Sequence, residues 1–124
     1  MPTVIAIAVA GALGALGRYG VDGWVSRRAP SSFPWGTFVI NVSGSFLLGI
    51  AFVVMTGRFR FEPWLRSGLT IGLLGAYTTF STLSLETYRM IEDRAYPLAA
   101  ANALGSLIAG LVALYAGVVI GRAI

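Results

Sequence analysis

The sequence predicts an all-α membrane protein with four transmembrane helices, the third of which is broken. Three observations predict this fold: the composition, the spacing of the charges and one run of hydroxyl side chains. Hydrophobic residues make up 56% of the 124 residues and charged residues 11%, whereas soluble domains average about 45–50% and about 25%. So few charges cannot cover a soluble surface, and disordered chains have the opposite composition. We therefore expect a single transmembrane domain over residues 1–124.

The residue types also exclude several classes of function. The nine basic residues are all Arg, and five acidic residues leave a net charge of +4. The Arg residues stand between apolar runs and do not form a patch, so we expect no nucleic-acid partner. The chain has no Cys and no His, which excludes disulfides, thiolate chemistry and imidazole catalysis. With no nucleophile–base pair in sight, we do not expect an enzyme.

Four intervals without charges define the predicted spans: residues 1–17, 29–57, 67–85 and 95–121. A helix crosses a hydrocarbon core of about 30 Å in roughly 20 residues. The first interval is short, so we extend its helix past Arg18 toward Trp24, with Arg18 snorkelling or facing protein. The second holds a loop rich in Pro and Ser and then a helix over about residues 35–55. Each of the last two holds one span, so both termini lie on the same side.

The charges give little preference for either orientation in the membrane. With four spans, each side of the membrane carries four Arg residues. One side has Arg58, Arg60, Arg66 and Arg122, and the other has Arg27, Arg28, Arg89 and Arg94. Basic residues normally fix the orientation by their excess on the inner side. Either another factor fixes one orientation, or the chain inserts both ways and pairs head to tail; we favour the second.

Four helices are also too few to enclose a polar path, so a conduit needs a second chain.

The third span carries an unusual run of hydroxyl groups. Six of the eight residues from Tyr77 to Ser84 have one, and Gly75 lies just before them. One or two such hydroxyls would bond back to helical carbonyls, but six favour an interrupted helix. Irregular backbone at membrane depth is tolerated only where it is buried in protein or lines a wet cavity. Because a break exposes carbonyls and a helix N-terminus, we predict an ion site.

Polar and aromatic side chains follow helical spacing around this run. After the break, Phe80 and Leu83 share one helix face, and a neighbouring face carries Thr79, Thr82 and Glu86. The ring edge of Phe80 is weakly positive and can contact a small anion. The second span has a stripe of Thr37, Asn41 and Ser45, and the fourth has Asn102 and Ser106. An Asn amide can donate to an anion, and three polar stripes together favour a hydrated path over simple interhelical bonding.

These residues resemble those of the small fluoride channel family, Fluc, also called CrcB. The resemblance covers nearly the whole chain, and its most specific element is the Thr78-Thr79-Phe80-Ser81-Thr82 string in the third of four spans. Further matches are Gly14-Ala-Leu-Gly-Arg18-Tyr19, Trp35-Gly36-Thr37 with Asn41, Gly44-Ser45-Phe46 with Gly49, and Gly75 and Glu86.

The resemblance implies a multi-pass protein of the cell inner membrane or plasma membrane that exports fluoride passively. It implies an antiparallel, dual-topology homodimer in the lipid bilayer, with two pores along the interface between identical chains. It also implies a structural sodium ion, Na⁺, at the dimer centre, held by the backbone carbonyls of Gly75 and Thr78. No organic cofactor is expected.

The predicted fluoride pathway combines the family's pore positions with the polar stripes of this chain. Its members are Asn41, Phe80, Leu83, Ser81, Thr82, Glu86, Thr37, Asn102, Ser106 and Arg18. Three positions depart from the family pattern. Leu83 stands where a second Phe is usual, Ala76 replaces a common Gly, and Asn102 occupies a position where Tyr is frequent. We expect conduction to survive these changes with an altered rate.

Two other functions remain open from the sequence. A small multidrug-type, proton-coupled antiporter would also have four helices, but it needs a carboxylate deep in the membrane. Asp22 and Glu86 lie at the ends of predicted spans, so neither fits well. A membrane scaffold would explain the many glycines, since small residues let helices approach closely in lipid. It would leave the hydroxyl run without a role.

Overall fold

The computed structural model describes residues 1–124 except for the side chain of Arg58, and 86% of the chain is helical. The α-helices are α1 (Pro2–Arg28), α2 (Trp35–Val53), α3 (Pro63–Ser67), α4 (Gly75–Tyr77), α5 (Phe80–Glu92) and α6 (Tyr96–Ala123). A π-helical stretch, Val54–Arg58, continues α2, and another, Gly68–Leu74, joins α3 to α4. The all-helical prediction is confirmed.

Three helices of the described chain are long and apolar enough to cross a membrane: α1, residues 35–57 and α6. The predicted third span corresponds to residues 63–92, which form two shorter helical halves. The sequence predicts that the first helix extends past Arg18 toward Trp24. In the structure α1 continues to Arg28.

The helix break lies within the hydroxyl run. α4 ends at Tyr77, and the next two residues are extended, with φ −83° and ψ 159° at Thr78 and φ −151° and ψ 120° at Thr79. Thr79 then caps α5, because its Oγ1 accepts a hydrogen bond of 3.3 Å from the Thr82 amide. Thr is a favoured N-cap because it satisfies one of the free amides of the first turn. The predicted interruption is confirmed.

Glycines allow α2 and α6 to pack closely against each other. A Cβ atom on Gly49 would overlap the Leu114 carbonyl, and one on Gly117 would overlap the Phe46 carbonyl. A Cβ on Gly121 would lie 3.2 Å from Val53. The contacts advance together along both helices, so α2 and α6 run parallel at close range.

α1 packs in the same way on the first half of the broken segment. Added Cβ atoms on Gly68 and Gly72 would lie 3.2 Å from Ala6 and 3.1 Å from Ala10, and one on Gly14 would overlap the Leu73 carbonyl. Gly14, Gly68 and Gly72 therefore allow the close approach of α1 to the first half of the broken segment.

The outer faces of the bundle are apolar. α1 and α6 expose large side chains that include Leu13, Leu16, Leu104, Ile108 and Val112. Trp24, Trp35, Trp64 and Tyr96 are exposed near helix ends, where aromatic residues meet the membrane–water interface. This surface suits lipid on most of its area, and the polar groups are collected around the break.

Candidate functional site

Asn41 of α2 holds the break in place. Its Nδ2 donates to the Thr79 carbonyl at 3.0 Å, and its Oδ1 accepts from the Thr79 amide at 2.8 Å. One turn along α2, a Cβ atom on Gly44 would overlap the Thr78 side chain. Because glycine has no Cβ atom, the broken segment can lie close to α2 at this point. The amide therefore satisfies both backbone groups of an extended residue that would be costly to bury unpaired. From the sequence, both interhelical hydrogen bonding and donation to an anion were open for Asn41. The structure shows the first, and one Nδ2 hydrogen is left for the second.

The break also releases two backbone carbonyls. In a continuous helix the Gly75 and Thr78 carbonyls would accept from the amides four residues on, those of Thr79 and Thr82. These amides donate instead to Asn41 Oδ1 and Thr79 Oγ1. The two released carbonyls are those predicted to hold sodium, and both residues line an open groove. Oxygen ligands suit a hard cation, so the donor set fits Na⁺.

The open groove lies on one face of the bundle between α2, the broken segment and α6. Its volume is about 730 Å³. Phe80 lies in it with 81% of its surface exposed, and Leu83 lies beside it. Among its polar lining residues are Asn41, Ser45, Thr78, Ser84, Thr87 and Ser106. The groove thus combines an exposed aromatic ring with several hydrogen-bonding groups, an arrangement that lipid alone would not satisfy.

A second, smaller cavity lies on the other side of the break. Its volume is about 320 Å³, and Arg18, Asp22, Thr37 and Thr82 line it. Arg18 thus faces protein, one of the two outcomes expected for it. Thr79 lines both this cavity and the open groove, so the two spaces are separated by the broken segment.

Thr37 and Glu86 meet close to the second cavity. The Thr37 hydroxyl donates to Glu86 Oε2 at 3.1 Å. The other carboxyl oxygen, Oε1, is buried and has no hydrogen-bond partner within the described part of the chain. The predicted pathway residues of the second and third spans are therefore in direct contact here.

Asn102 is fully buried on α6, with 0% of its surface exposed. Its Nδ2 donates to Thr87 Oγ1 at 2.9 Å, and the Thr87 hydroxyl donates to the Leu83 carbonyl at 2.8 Å. Asn102 Oδ1 and the buried hydroxyl of Ser106 lack a hydrogen-bond partner among the residues that the structure describes. Two unpaired polar atoms thus lie one helical turn apart.

The structure places seven of the ten predicted pathway residues along two spaces, and Ser81, Glu86 and Asn102 line neither of them. Asn41, Phe80, Leu83 and Ser106 line the open groove, and Arg18, Thr37 and Thr82 line the second cavity. Ser81 is exposed at the start of α5, with its hydroxyl 3.4 Å from Thr79 Oγ1. Thr79 and Thr87 were not predicted as site residues. Thr79 lies within the predicted hydroxyl run. Its extended backbone, which allows it to bond to Asn41, has no signal of its own in the sequence.

Apolar helices of spanning length, packed around a polar broken segment, define a small helical membrane protein. The chain belongs to the CrcB family: the model described as "CrcB-like protein, Camphor Resistance (CrcB)" matches residues 5–118. It is 44% identical over the full length of both chains to "Fluoride-specific ion channel FluC" of Geotalea uraniireducens (strain Rf4). The identity is also 44% to the protein of that name from Hahella chejuensis (strain KCTC 2396), over 100% of this chain and 98% of the relative.

These comparisons confirm the family resemblance. The alternative prediction, a small multidrug-type antiporter, receives no support from relatives named as channels.

Proposed function

We propose that this chain is a fluoride-selective channel that exports fluoride passively across the cell membrane. The observation that carries the proposal is Phe80, which exposes 81% of its surface in a groove lined by hydroxyl and amide groups. A weakly positive ring edge and neutral donors can replace part of the water around a small anion without binding it too tightly. The names of the relatives support fluoride as that anion.

In this proposal the broken segment also crosses the membrane, as the third of four spans along the chain. Its halves together comprise residues 63–92, and the extended Thr78 and Thr79 lie between them. The unpaired backbone that such a break would bring into lipid is instead bonded to Asn41 or faces the groove. Irregular backbone is tolerated at membrane depth under those conditions.

The functional unit that we propose is an antiparallel homodimer. The groove is open on one side and contains polar groups that are expensive to expose to hydrocarbon. A second copy would cover it, and the inverted arrangement agrees with the even distribution of Arg residues on the two sides. Each groove would then become a closed corridor, so that one dimer has two pores.

Fluoride would move along the broken segment, whose extended residue Thr79 lines both the groove and the second cavity. Arg18 attracts the anion to the second cavity, and the hydroxyls of Thr82 and Ser81 and the remaining Asn41 hydrogen replace its water. Phe80 and Leu83 form the apolar part of the groove wall, and Thr37 contacts Glu86 at the second cavity. Ser106 belongs to the groove wall on α6, and Asn102 is buried one turn earlier. Chloride is larger and is rejected by a narrow path. A negative-inside potential drives an anion outward with about 2.3 kcal/mol per 100 mV, so no pump is needed.

Sodium completes the proposed dimer centre. The released carbonyls of Gly75 and Thr78 would hold it, together with those of the partner. When bound, Na⁺ would supply positive charge that favours an anion nearby. The chain's own contribution is to keep these carbonyls free, through the bonds that Asn41 and Thr79 make to the competing amides.

Replacing Phe80 by Ile should lower fluoride efflux from proteoliposomes by about tenfold or more. Ile fills similar space but lacks the ring edge, and losing about 1.4 kcal/mol of stabilisation at one point of the path slows passage tenfold. A fluoride electrode measures the flux, with chloride flux as the selectivity control. Phe52→Ile is the matched control, because Phe52 is an exposed Phe on α2 that does not line the groove. Wild-type flux in the Phe80 variant would contradict the proposed path.

Two-way insertion can be tested with a single added cysteine, since the chain has none. We expect a membrane-impermeant maleimide to label about half of the Glu62→Cys molecules in intact cells. Ser31→Cys, in the loop between α1 and α2, should also be labelled by about half. Complete labelling of one variant with no labelling of the other would show a single orientation, and the antiparallel dimer would then be wrong.

Removing sodium should lower the stability of the dimer. Replacing Na⁺ by N-methylglucamine at constant chloride should lower the dimer's unfolding temperature in detergent. A bound ion at 100 times its Kd contributes about 2.7 kcal/mol. Titration with Na⁺ should restore the temperature along a saturable curve. An unfolding temperature that does not depend on the cation would remove sodium from the proposal.

A further inference from the structure

Two buried polar atoms on α6 lack hydrogen-bond partners among the described residues: Asn102 Oδ1 and Ser106 Oγ. Their residues are 0% and 5% exposed. Buried groups left in this way usually bind an ordered water. Residues four apart on a helix have Cβ atoms about 5–6 Å apart, a distance that one water spans with two hydrogen bonds of about 2.8 Å each.

The orientation of the Asn102 amide is fixed by Thr87. A Thr hydroxyl has one hydrogen to donate, and that of Thr87 is used on the Leu83 carbonyl. Thr87 Oγ1 can therefore only accept from Asn102, which requires Nδ2 on this side. The carbonyl oxygen, Oδ1, is consequently the atom of this amide that is left without a partner among the described residues.

No side chain of α2 pairs with either of these two atoms in the described part of the chain. α2 and α6 run parallel, with a Cβ on Gly110 falling 3.5 Å from Ser45 Oγ. One to two turns earlier, this register places Asn41 level with Ser106 and Thr37 level with Asn102. The Thr37 hydroxyl donates to Glu86, and Asn41 Nδ2 donates to Thr79.

A bare anion does not fit between these two atoms. It could accept the Ser106 hydrogen, but the Asn102 carbonyl would repel it. A water molecule satisfies both, because it accepts from Ser106, donates one hydrogen to Asn102 Oδ1 and keeps a second hydrogen. Since Ser106 lines the open groove, that second hydrogen has access to it.

We propose that a water molecule is bound between Asn102 Oδ1 and Ser106 Oγ and donates its remaining hydrogen to fluoride in the groove. The last step rests on the proposed function; the water site does not. Through this water, the buried acceptor Asn102 Oδ1 is replaced by a donor that faces the groove. Asn102 and Ser106 therefore act on the anion through the water and are positioning residues.

Crystal structures of the protein with and without fluoride, at a resolution that shows ordered water, test the site directly. We expect one density peak within about 3 Å of both atoms in both structures. A peak that is present only with fluoride would assign the position to the anion and overturn the proposal. An empty position in both structures would also overturn it. Neither result depends on transport.

Flux measurements test whether the two residues act through one water. Asn102→Leu and Ser106→Ala should each lower fluoride efflux about tenfold, and the double variant should lower it by about the same tenfold. Independent roles would multiply to about a hundredfold and would contradict a shared water. Leu104→Ala, on the exposed side of α6, is the control and should keep wild-type flux. Dimer elution on size exclusion shows which variants are folded.

If Asn102→Leu does not form dimers, the crystal structure of Ser106→Ala takes its place. We expect the water peak to be lost or displaced in this variant, because the hydroxyl that holds it is absent. An unchanged peak would overturn the shared site. If the wild-type protein carries no fluoride but contains the water, the proposed function fails and the water site stands.

Discussion

Replacing Asn41 by Asp should reduce fluoride efflux by about a hundredfold or more, the largest loss that we expect from a single polar substitution. The carboxylate would keep an acceptor for the Thr79 amide but would place a second oxygen against the Thr79 carbonyl, where Nδ2 now donates. The new charge would also repel fluoride inside the path. Two such effects of about 1.4 kcal/mol each multiply to a hundredfold. The measurement is fluoride-electrode flux from liposomes that contain equal amounts of dimer.

Ser43→Ala is the control for this experiment. Ser43 lies two residues away on α2, and its hydroxyl contacts the Tyr77 hydroxyl at 3.0 Å and not the backbone of the break. We expect its flux to stay within about twofold of wild type. If the Asp variant conducts as well as this control, Asn41 neither holds the break nor faces the anion.

Replacing Gly49 by Ala should destabilise the protein by about 3 kcal/mol, at the upper end of the usual cost of overpacking. The new methyl group would overlap the Leu114 carbonyl, and backbone cannot move aside as a flexible side chain can. We expect loss of the monodisperse peak on size exclusion and a lower unfolding temperature in detergent.

Gly105→Ala is the matched control on α6. An added Cβ there meets nothing within 4 Å in the described part of the chain, and Ala favours a helix over Gly by about 0.5–1 kcal/mol. This variant should therefore be as stable as the wild type or more so. Equal stability of the Gly49 and Gly105 variants would show that α2 and α6 do not pack as closely as described.

The sequence predicted the helices and the break well because both depend on local composition. Apolar runs without charge define spans, and a run of hydroxyls beside Gly75 weakens a helix wherever it folds. The ends of the elements were less predictable. α1 remains helical through Arg28, since helical propensity persists where the apolar pattern has stopped, and the π-helical stretch Gly68–Leu74 has no signature in residue types.

The hydrogen-bond partners within the site could not be predicted, because they depend on which residues tertiary packing brings together. Asn41 was recognised as a polar pathway residue, but its use of both amide atoms on Thr79 requires the break to lie against α2. The orientation of the Asn102 amide likewise depends on Thr87, which lies fifteen positions away in the sequence. The pattern identified the groups and left their pairing open.

The interlocked glycines of α2 and α6 restrict how this protein can move. With Gly49 seated against Leu114 and Gly117 against Phe46, neither helix can slide along the other without backbone collision. The pair behaves as a rigid plate, so a gate that works by helix displacement has no place to act there. In the proposed channel this pair forms a fixed part of the wall, so any movement that opens or closes the passage has to come from other elements.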